Sequence, residues 1–427
     1  MEAVLNFLGQ LDQIVFTLWQ NVLKIWLSVW WIVLPIALGL IFWRLWLFYI
    51  RTSYIRKIKR VLLRVRTPRE ILKTPKAMEQ VFAAAHGSYS FGIRFLEKYW
   101  RGRVEDWWSF EILGTGEGVY FYIWLNQIYR NLIESAIYAQ YPEAEIEAME
   151  DYIELWPSVL PSKTYEIFGG DLILSRDNPY PLRSYEEFES RVEEEKIDPM
   201  AIFLEVCSQL KSGETVWLQI ILRPAGERTG VDLPKEAEEL IQKIIGREKP
   251  AKASWLDAAR EFLANLLIAP FGEPRWGKKE EKAKQEKRLT AAEQDIVRAI
   301  ARKASKVYFQ GAIRFLYIDR ADSFSRANVA AVMGAFRHLS SLELNSLRPN
   351  IKTLTIARFP FKNRKIYYKK RRLYDYYRIR RVPKRNSLFN IEELATVYHY
   401  PSATVAAPLI RPLEAKKSGP PPTLPVE

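Results

Sequence analysis

The chain has 427 residues, of which 48% are apolar and 27% charged; this balance excludes a disordered or fibrous polymer and is long enough for two or three domains. Cys207 is the single cysteine, which excludes an intrachain disulfide and a cysteine-based metal site and fits a reducing compartment. The formal net charge of +14 points to an acidic partner: nucleic acid, anionic lipid or an acidic protein face.

Two blocks hold that charge. Residues 51–73 carry nine Lys/Arg against Glu70, and residues 360–385 carry twelve against Asp375. Together they exceed the net charge of the whole chain, so the remainder is acidic.

Ile25 to Trp43 runs nineteen residues without a charge. At ~1.5 Å per residue, with apolar flanks such as Leu45–Ile50, this run spans a hydrocarbon core of ~30 Å. Pro35 and Gly39 are tolerated kink points in such a helix. Trp26, Trp30, Trp31, Trp43, Trp46 and Tyr49 suit interfacial aromatic belts. A secretory leader carries its charge before a shorter apolar core and a small-residue cleavage site after it; here the bases follow the run. The expectation is one retained span in the cytoplasmic membrane. By the positive-inside rule the N-terminus lies outside and residues 51–427 lie in the cytoplasm. Arg51, Arg56, Lys57, Lys59 and Arg60 would then sit at the anionic leaflet. Val4, Leu8, Leu11, Val15, Leu18, Val22 and Ile25 step by four and three. That stripe suits either a self-association seam, and so a homo-oligomer, or a helix lying on the outer leaflet.

The next elements alternate in type. A strand at 60–66, a helix at 74–86, strands at 107–113 and 118–125, a helix at 126–140 and a strand at 143–153 give the order βαββαβ. Asn126 suits an N-cap, and Gly114–Gly118 suits a hairpin turn. This is the split βαβ, ferredoxin-like plan. A second set follows: a strand at 164–174, a helix from Pro199 to about 210, a strand at 215–223, a helix at 290–304, a strand at 307–318 and a helix at 323–338. The expected fold is therefore α+β, an N-terminal transmembrane helix followed by two ferredoxin-like units. The expected domains are 1–50, 51–155, 156–358 with an insertion at 225–289, a basic aromatic segment at 359–388, and 389–427. The insertion shows helical patches at 234–246 and 254–267 and a charged run at 277–288. The Pro-rich tail from Lys416 reads as extended.

Catalytic patterns are not visible. Gly114-Thr-Gly-Glu-Gly118 lacks the lysine of a phosphate-binding loop, and Glu117 would repel phosphate. No histidine stands at metal-ligand spacing from another ligand. Glu143, Glu145 and Glu147 alternate on one strand face; paired carboxylates can do acid–base work, but a solvated edge strand explains them more simply. Cys207 reads as core. No enzyme, cofactor or metal is expected.

The second basic block interleaves cations with aromatics. Lys362, Arg364, Lys365, Lys369, Lys370, Arg371, Arg372, Arg378, Arg380, Arg381, Lys384 and Arg385 alternate with Tyr367, Tyr368, Tyr376 and Tyr377. Cations neutralise phosphates and aromatics stack on unpaired bases, which fits DNA. An electrostatic lipid anchor, docking to an acidic protein, and a helix with a solvated basic side compete with that reading at this level.

The C-terminal block Phe389-Asn-Ile-Glu-Glu-Leu-Ala-Thr-Val-Tyr-His-Tyr-Pro401 resembles one found in membrane proteins of candidate-phyla bacteria. Lys73-Thr-Pro-Lys-Ala-Met-Glu-Gln-Val-Phe82, Tyr138-Ala-Gln-Tyr-Pro-Glu-Ala-Glu-Ile146, Lys163-Thr-Tyr165, Asp198-Pro199 and Ser212-Gly-Glu-Thr-Val-Trp-Leu-Gln-Ile220 are similar as well. In that family a HerA/FtsK-type ATPase domain usually follows a Pro-Pro-x-x-Leu-Pro stretch, and the region before it is a domain of unknown function. This chain ends two residues after Pro421-Pro-Thr-Leu-Pro425. The resemblance implies a scaffold that positions such an ATPase, supplied in trans, in a type IV secretion- or conjugation-like machine. The alternatives are a membrane-tethered nucleic-acid-binding protein and a lipid-surface scaffold without a motor. His399 lies in the matched block and reads as a packing or capping residue.

Overall fold

The structure is a computed structural model that describes residues 2–68, 73–89, 93–188, 197–246, 289–341, 343–383 and 386–401. The chain divides into two compact units, the described residues within 1–59 and 92–104, and those within 60–91 and 105–427.

In the first unit a continuous helix runs from Glu2 to Lys57, through Pro35. Its part from Trp26 to Lys57 is long and apolar enough to cross a membrane, a property that a signal sequence shares, and nothing in its apolar window is buried. The side chains of the stripe Val4–Ile25 lie outside the described residues. A short helix, Phe95–Tyr99, completes the unit.

The second unit is built on strands β1 (Arg60–Arg66), β2 (Trp108–Thr115), β3 (Gly118–Asn126), β4 (Glu145–Met149), β5 (Tyr165–Leu174), β6 (Thr215–Pro224), β7 (Tyr308–Arg320), β8 (Leu347–Pro349) and β9 (Ser387–Asn390). All pair antiparallel in one sheet of order β4-β1-β3-β2-β6-β7-β5-β8, with β9 on β7. The α+β class thus stands, and the sheet is antiparallel. The two stretches expected as two units contribute their strands to this one sheet. β2 pairs with β6 along its whole length, from Trp108↔Leu222 to Thr115↔Thr215. Both are buried on both faces, so neither suits the end of a sheet, and each covers the other's edge.

Several local expectations hold. Asn126 accepts from Ile128 N at the start of the turn before the helix Arg130–Gln140. Thr115 and Gly118 close the β2–β3 hairpin. Cys207 is buried, and a Cβ on Gly114 would come within 2.5 Å of its sulfur. Others shift. The predicted strand 143–153 is only Glu145–Met149, the predicted helix 323–338 is Arg326–Gly334, and β8 and β9 were not anticipated. Within the insertion, Leu233–Ile245 is a helix as expected and packs on the helix Ala291–Ser305. The patch 254–267, the run 277–288 and the tail lie outside the described residues.

The two faces of the sheet differ. Leu63, Ile112, Leu218 and Phe315 turn to one face, under the helices Lys76–His86, Arg130–Gln140, Ala201–Ser208 and Ile391–Val397, and form the main core. The residues between them face the other way. There Leu62, Tyr122, Trp217, Leu316 and Ile318 meet Leu373, Tyr374 and Tyr377 of the basic segment.

Candidate nucleic-acid interface

The basic segment is a helix, Lys362–Arg378. It contains no Gly or Pro. Leu373, Tyr374 and Tyr377, three and four residues apart, form its buried stripe, so the cations fall on the remaining faces. Tyr374 donates to Pro157 O at 2.8 Å, and Tyr377 shares a 2.8 Å hydrogen bond with Tyr152.

Beneath the helix a polar row crosses the sheet. Glu147, Arg64, Tyr122, Glu111, Gln219, Arg314 and Asp171 are successive cross-strand neighbours on β4, β1, β3, β2, β6, β7 and β5. Arg64 pairs with Glu147 at 2.7 Å. Gln219 donates to Glu111 at 3.0 Å and accepts from Arg314 at 3.0 Å, and Arg314 Nε donates to Asp171 Oδ1 at 2.8 Å. Arg314 also donates to the carbonyls of Tyr376, in the last turn of the helix, and of Arg381, just beyond it, at 3.0 and 3.2 Å.

Arg380 closes the row from above. Its φ of 47° lies in the left-handed region. Its guanidinium bonds Glu111 at 2.8 and 3.1 Å, reaches Asp151 at 3.1 Å, and lies 5.0 Å over the Trp124 ring. Burial works against its charge, but Glu111 and Asp151 outweigh that and raise its pKa. Burial and the nearby Glu111 carboxylate push the Tyr152 and Tyr377 hydroxyls far up, so both stay neutral.

The sequence-predicted binding residues therefore separate. Arg380 and Tyr377 are buried in this network and cannot reach an outside ligand. Lys369 donates to the carbonyls of Ile351, Leu354 and Ile356 at 2.8–3.0 Å, and burial lowers its pKa. Lys370 is held by Glu166 at 2.8 Å, and Arg378 donates to Ser158 O at 2.8 Å. Lys362, Arg364, Lys365, Tyr367, Tyr368, Arg371, Arg372 and Arg381 stay exposed. Lys384 and Arg385 lie outside the described residues. Of the residues expected at a membrane surface, Arg56, Lys57 and Lys59 are exposed and Arg51 is half-buried. Arg60 is held on β1, 4.2 Å from the centre of the Trp107 ring and 3.7 Å from Asp106.

A pocket of about 420 Å³ opens beside the helix. Lys352, Lys369, Arg372 and Arg381 line it, with Tyr368 and Tyr376 between them. Arg381 and Arg372 lie 4.6 and 5.1 Å from the Tyr376 ring centre, and Arg372 Nε donates to the Tyr376 hydroxyl at 2.7 Å. Asp171 also lines the pocket. It is 1% exposed, and its Oδ2 is buried with no hydrogen-bond partner among the described residues. A site of this kind attracts an anion and stacks a flat ring, with a carboxylate in its lining.

Sequence reasoning missed Asp171, Arg314, Gln219, Glu111 and Lys352. The first four had a signal: each interrupts an apolar strand at an inward position, where a charged or amide side chain is rare without a partner. Two expected structural readings outside the helix hold, except that Glu143 lies in the turn before β4 rather than on the strand. Glu145 and Glu147 form ion pairs with Arg66 and Arg64 on the edge strand β4, as a solvated edge would. His399 bonds Ala395 O at 2.8 Å and Asp198 at 2.9 Å inside the core. The block Phe389–Tyr400 is buried throughout, so its distinctive pattern records packing.

No curated protein matches the chain. The match to a family model names no HerA/FtsK-type protein; it covers residues 55–411, nearly the whole of the second unit, and on that ground the chain belongs to the DUF8128 family, a domain of unknown function.

Proposed function

We propose that this protein is a membrane-anchored, non-enzymatic scaffold that holds a single-stranded nucleic acid along its basic helix, with one base in the pocket floored by Asp171. The pocket carries the reading: Lys352, Arg372, Arg381, Tyr368 and Tyr376 line it, beside Lys369, which is bonded to carbonyls, and Asp171, whose Oδ2 has no hydrogen-bond partner among the described residues. Lys362, Arg364, Lys365 and Arg371 would take phosphates. Tyr368 would stack the base. An exocyclic amino group, present on adenine, cytosine and guanine and missing from thymine, would donate to Asp171 Oδ2. A duplex offers no free ring face, so single strands should bind more tightly.

The test is anisotropy of labelled oligonucleotides on the full chain in nanodiscs across a salt series. Affinity should fall with salt, and Arg371→Gln should reduce the logarithmic slope by ~0.7, one phosphate on a single strand. Tyr368→Ala should weaken binding by about 5- to 150-fold, the equivalent of one lost stack. An absence of binding at low salt would overturn the reading. An anionic bilayer is the competing occupant and needs no pocket, so liposome binding that ignores Tyr368→Ala while DNA fails to bind would replace it.

The anchor has its own support. Trp43 stacks on Tyr99, and Trp46 donates to Tyr99 O at 3.2 Å, contacts that cleavage of a leader would remove. The cations after the span favour a cytoplasmic second unit. The strand orders β4-β1-β3-β2 and β8-β5-β7-β6 are the same within their halves, which supports two ferredoxin-like units joined edge to edge. A HerA/FtsK-type ATPase acting in trans, in a secretion- or conjugation-like machine, comes from the resemblance of the sequence blocks. Mass spectrometry of gently extracted protein should find a stoichiometric P-loop ATPase; its absence would remove the motor from the proposal and leave the nucleic-acid site standing.

A further inference from the structure

We infer that residues 94–101 are a second membrane contact, lying in the interfacial layer of the bilayer beside the N-terminal helix. The inference rests on that helix being a membrane anchor.

The first observation is exposure. Phe95, Leu96 and Trp100 are 70%, 72% and 69% exposed. With Tyr99 they stand at positions one, two, five and six of a helical turn and a half, so they share one face. Arg94, Lys98 and Arg101 are exposed around them. Aromatic and aliphatic side chains on one face with cations at its borders are the composition of an interfacial segment. In water the same face would be an unprotected apolar patch.

The second observation is attachment. Trp46 bonds Tyr99 O and packs on the Trp100 ring at 5.9 Å, and Trp43 lies 5.9 Å from Tyr99. Gly102 seats against the helix backbone. Its φ is +69°, and a Cβ there would come within 2.4 Å of Ile50, so a larger residue would force the segment off the helix. The segment is thereby fixed at one level, between Trp43 and Ile50.

That level is where an interface belongs. Twenty residue steps separate Trp26 from Trp46, about 30 Å of helix and the thickness of a hydrocarbon core. Around Trp46 the helix exposes Phe42, Leu45, Phe48 and Tyr49, so the patch on residues 95–100 continues an apolar surface that the anchor already presents to lipid. Continuity with the span and the bordering cations favour a bilayer over a second copy of the chain.

The test uses single cysteines carrying an environment-sensitive dye, in full-length protein in liposomes with nitroxide lipids. Cys207 is buried, so the introduced thiol takes the label. Phe95→Cys and Leu96→Cys probe the segment, Phe42→Cys probes the span, and Ile128→Cys, at a site 72% exposed on the second unit, reports water. Labels at 95 and 96 should be quenched several-fold more than at 128, and more by headgroup-level than by deep nitroxides. Quenching at 42 but not at 95 and 96 would overturn the inference and leave the anchor intact. Quenching at none of the three would overturn the anchor reading and the inference with it. Shielding at 95 and 96 that disappears at one copy per vesicle would assign the patch to a second copy instead.

Discussion

Arg380 shows how a residue that reads as a ligand contact becomes a structural one. A positive φ is held in a non-glycine residue only when its surroundings fix it, and here Glu111, Asp151 and the Trp124 ring do so. Removing one partner leaves buried carboxylate charge behind, so Arg380→Ala should cost about 3–5 kcal/mol in chemical denaturation. Arg380→Lys should recover part of that, because a single ammonium cannot bond both carboxylates in a fork. A loss below 1 kcal/mol would show that the row is not a buried network. Two histidines contribute to the pH response. Burial lowers the pKa of both His86 and His338 below 6.5. A depressed pKa means the unfolded state takes up the proton first, so the stability these groups supply is present at pH 7 and is lost as pH falls below 6.5. The melting temperature should therefore drop between pH 7 and pH 5, and His86→Gln with His338→Gln should flatten that slope; an unchanged slope would assign it to carboxylates.

At the scale of the element, what was legible follows from periodicity. β1 alternates Leu63 and Val65 with Leu62 and Arg64, and both sets of apolar residues are buried on opposite faces, so the strand could be placed to the residue. β8 and β9 are three and four residues long, too short for any period to show. The basic segment was legible as a charged block, and one of its open readings, a helix with a solvated basic side, describes its outer face. Which cations would be spent on the protein itself was not legible, because their partners are carbonyls and carboxylates far away in sequence. Lys369 is the clearest case. Its three carbonyl bonds tie the turn at 351–356 to the helix. Lys369→Met should speed amide exchange at Thr353 to Thr355 by at least tenfold while the exchange of β6 and β7 stays the same; equal protection of the turn would mean that backbone bonds alone hold it.

At the scale of the whole second unit, the decisive feature is the pairing of β2 with β6. Sequence order suggested two units side by side, and nothing local marks an edge that will be covered by a strand a hundred residues away. The pairing puts Phe121, Ile112, Leu218 and Phe315 in one cross-strand line through both halves, and all four belong to one core. A core shared in this way should melt as one cooperative body rather than half by half. Leu218 sits in the middle of the line with no exposed surface. Leu218→Ala removes three buried carbons at the seam and should destabilise by about 2–5 kcal/mol. If the halves are one body, amides in β1 and β3 should lose as much protection as amides in β5 and β7, although the substitution lies on neither pair. Loss confined to β5, β6 and β7 would mean that the first half holds its own stability, and the two expected units would then be independent bodies that share only a strand edge.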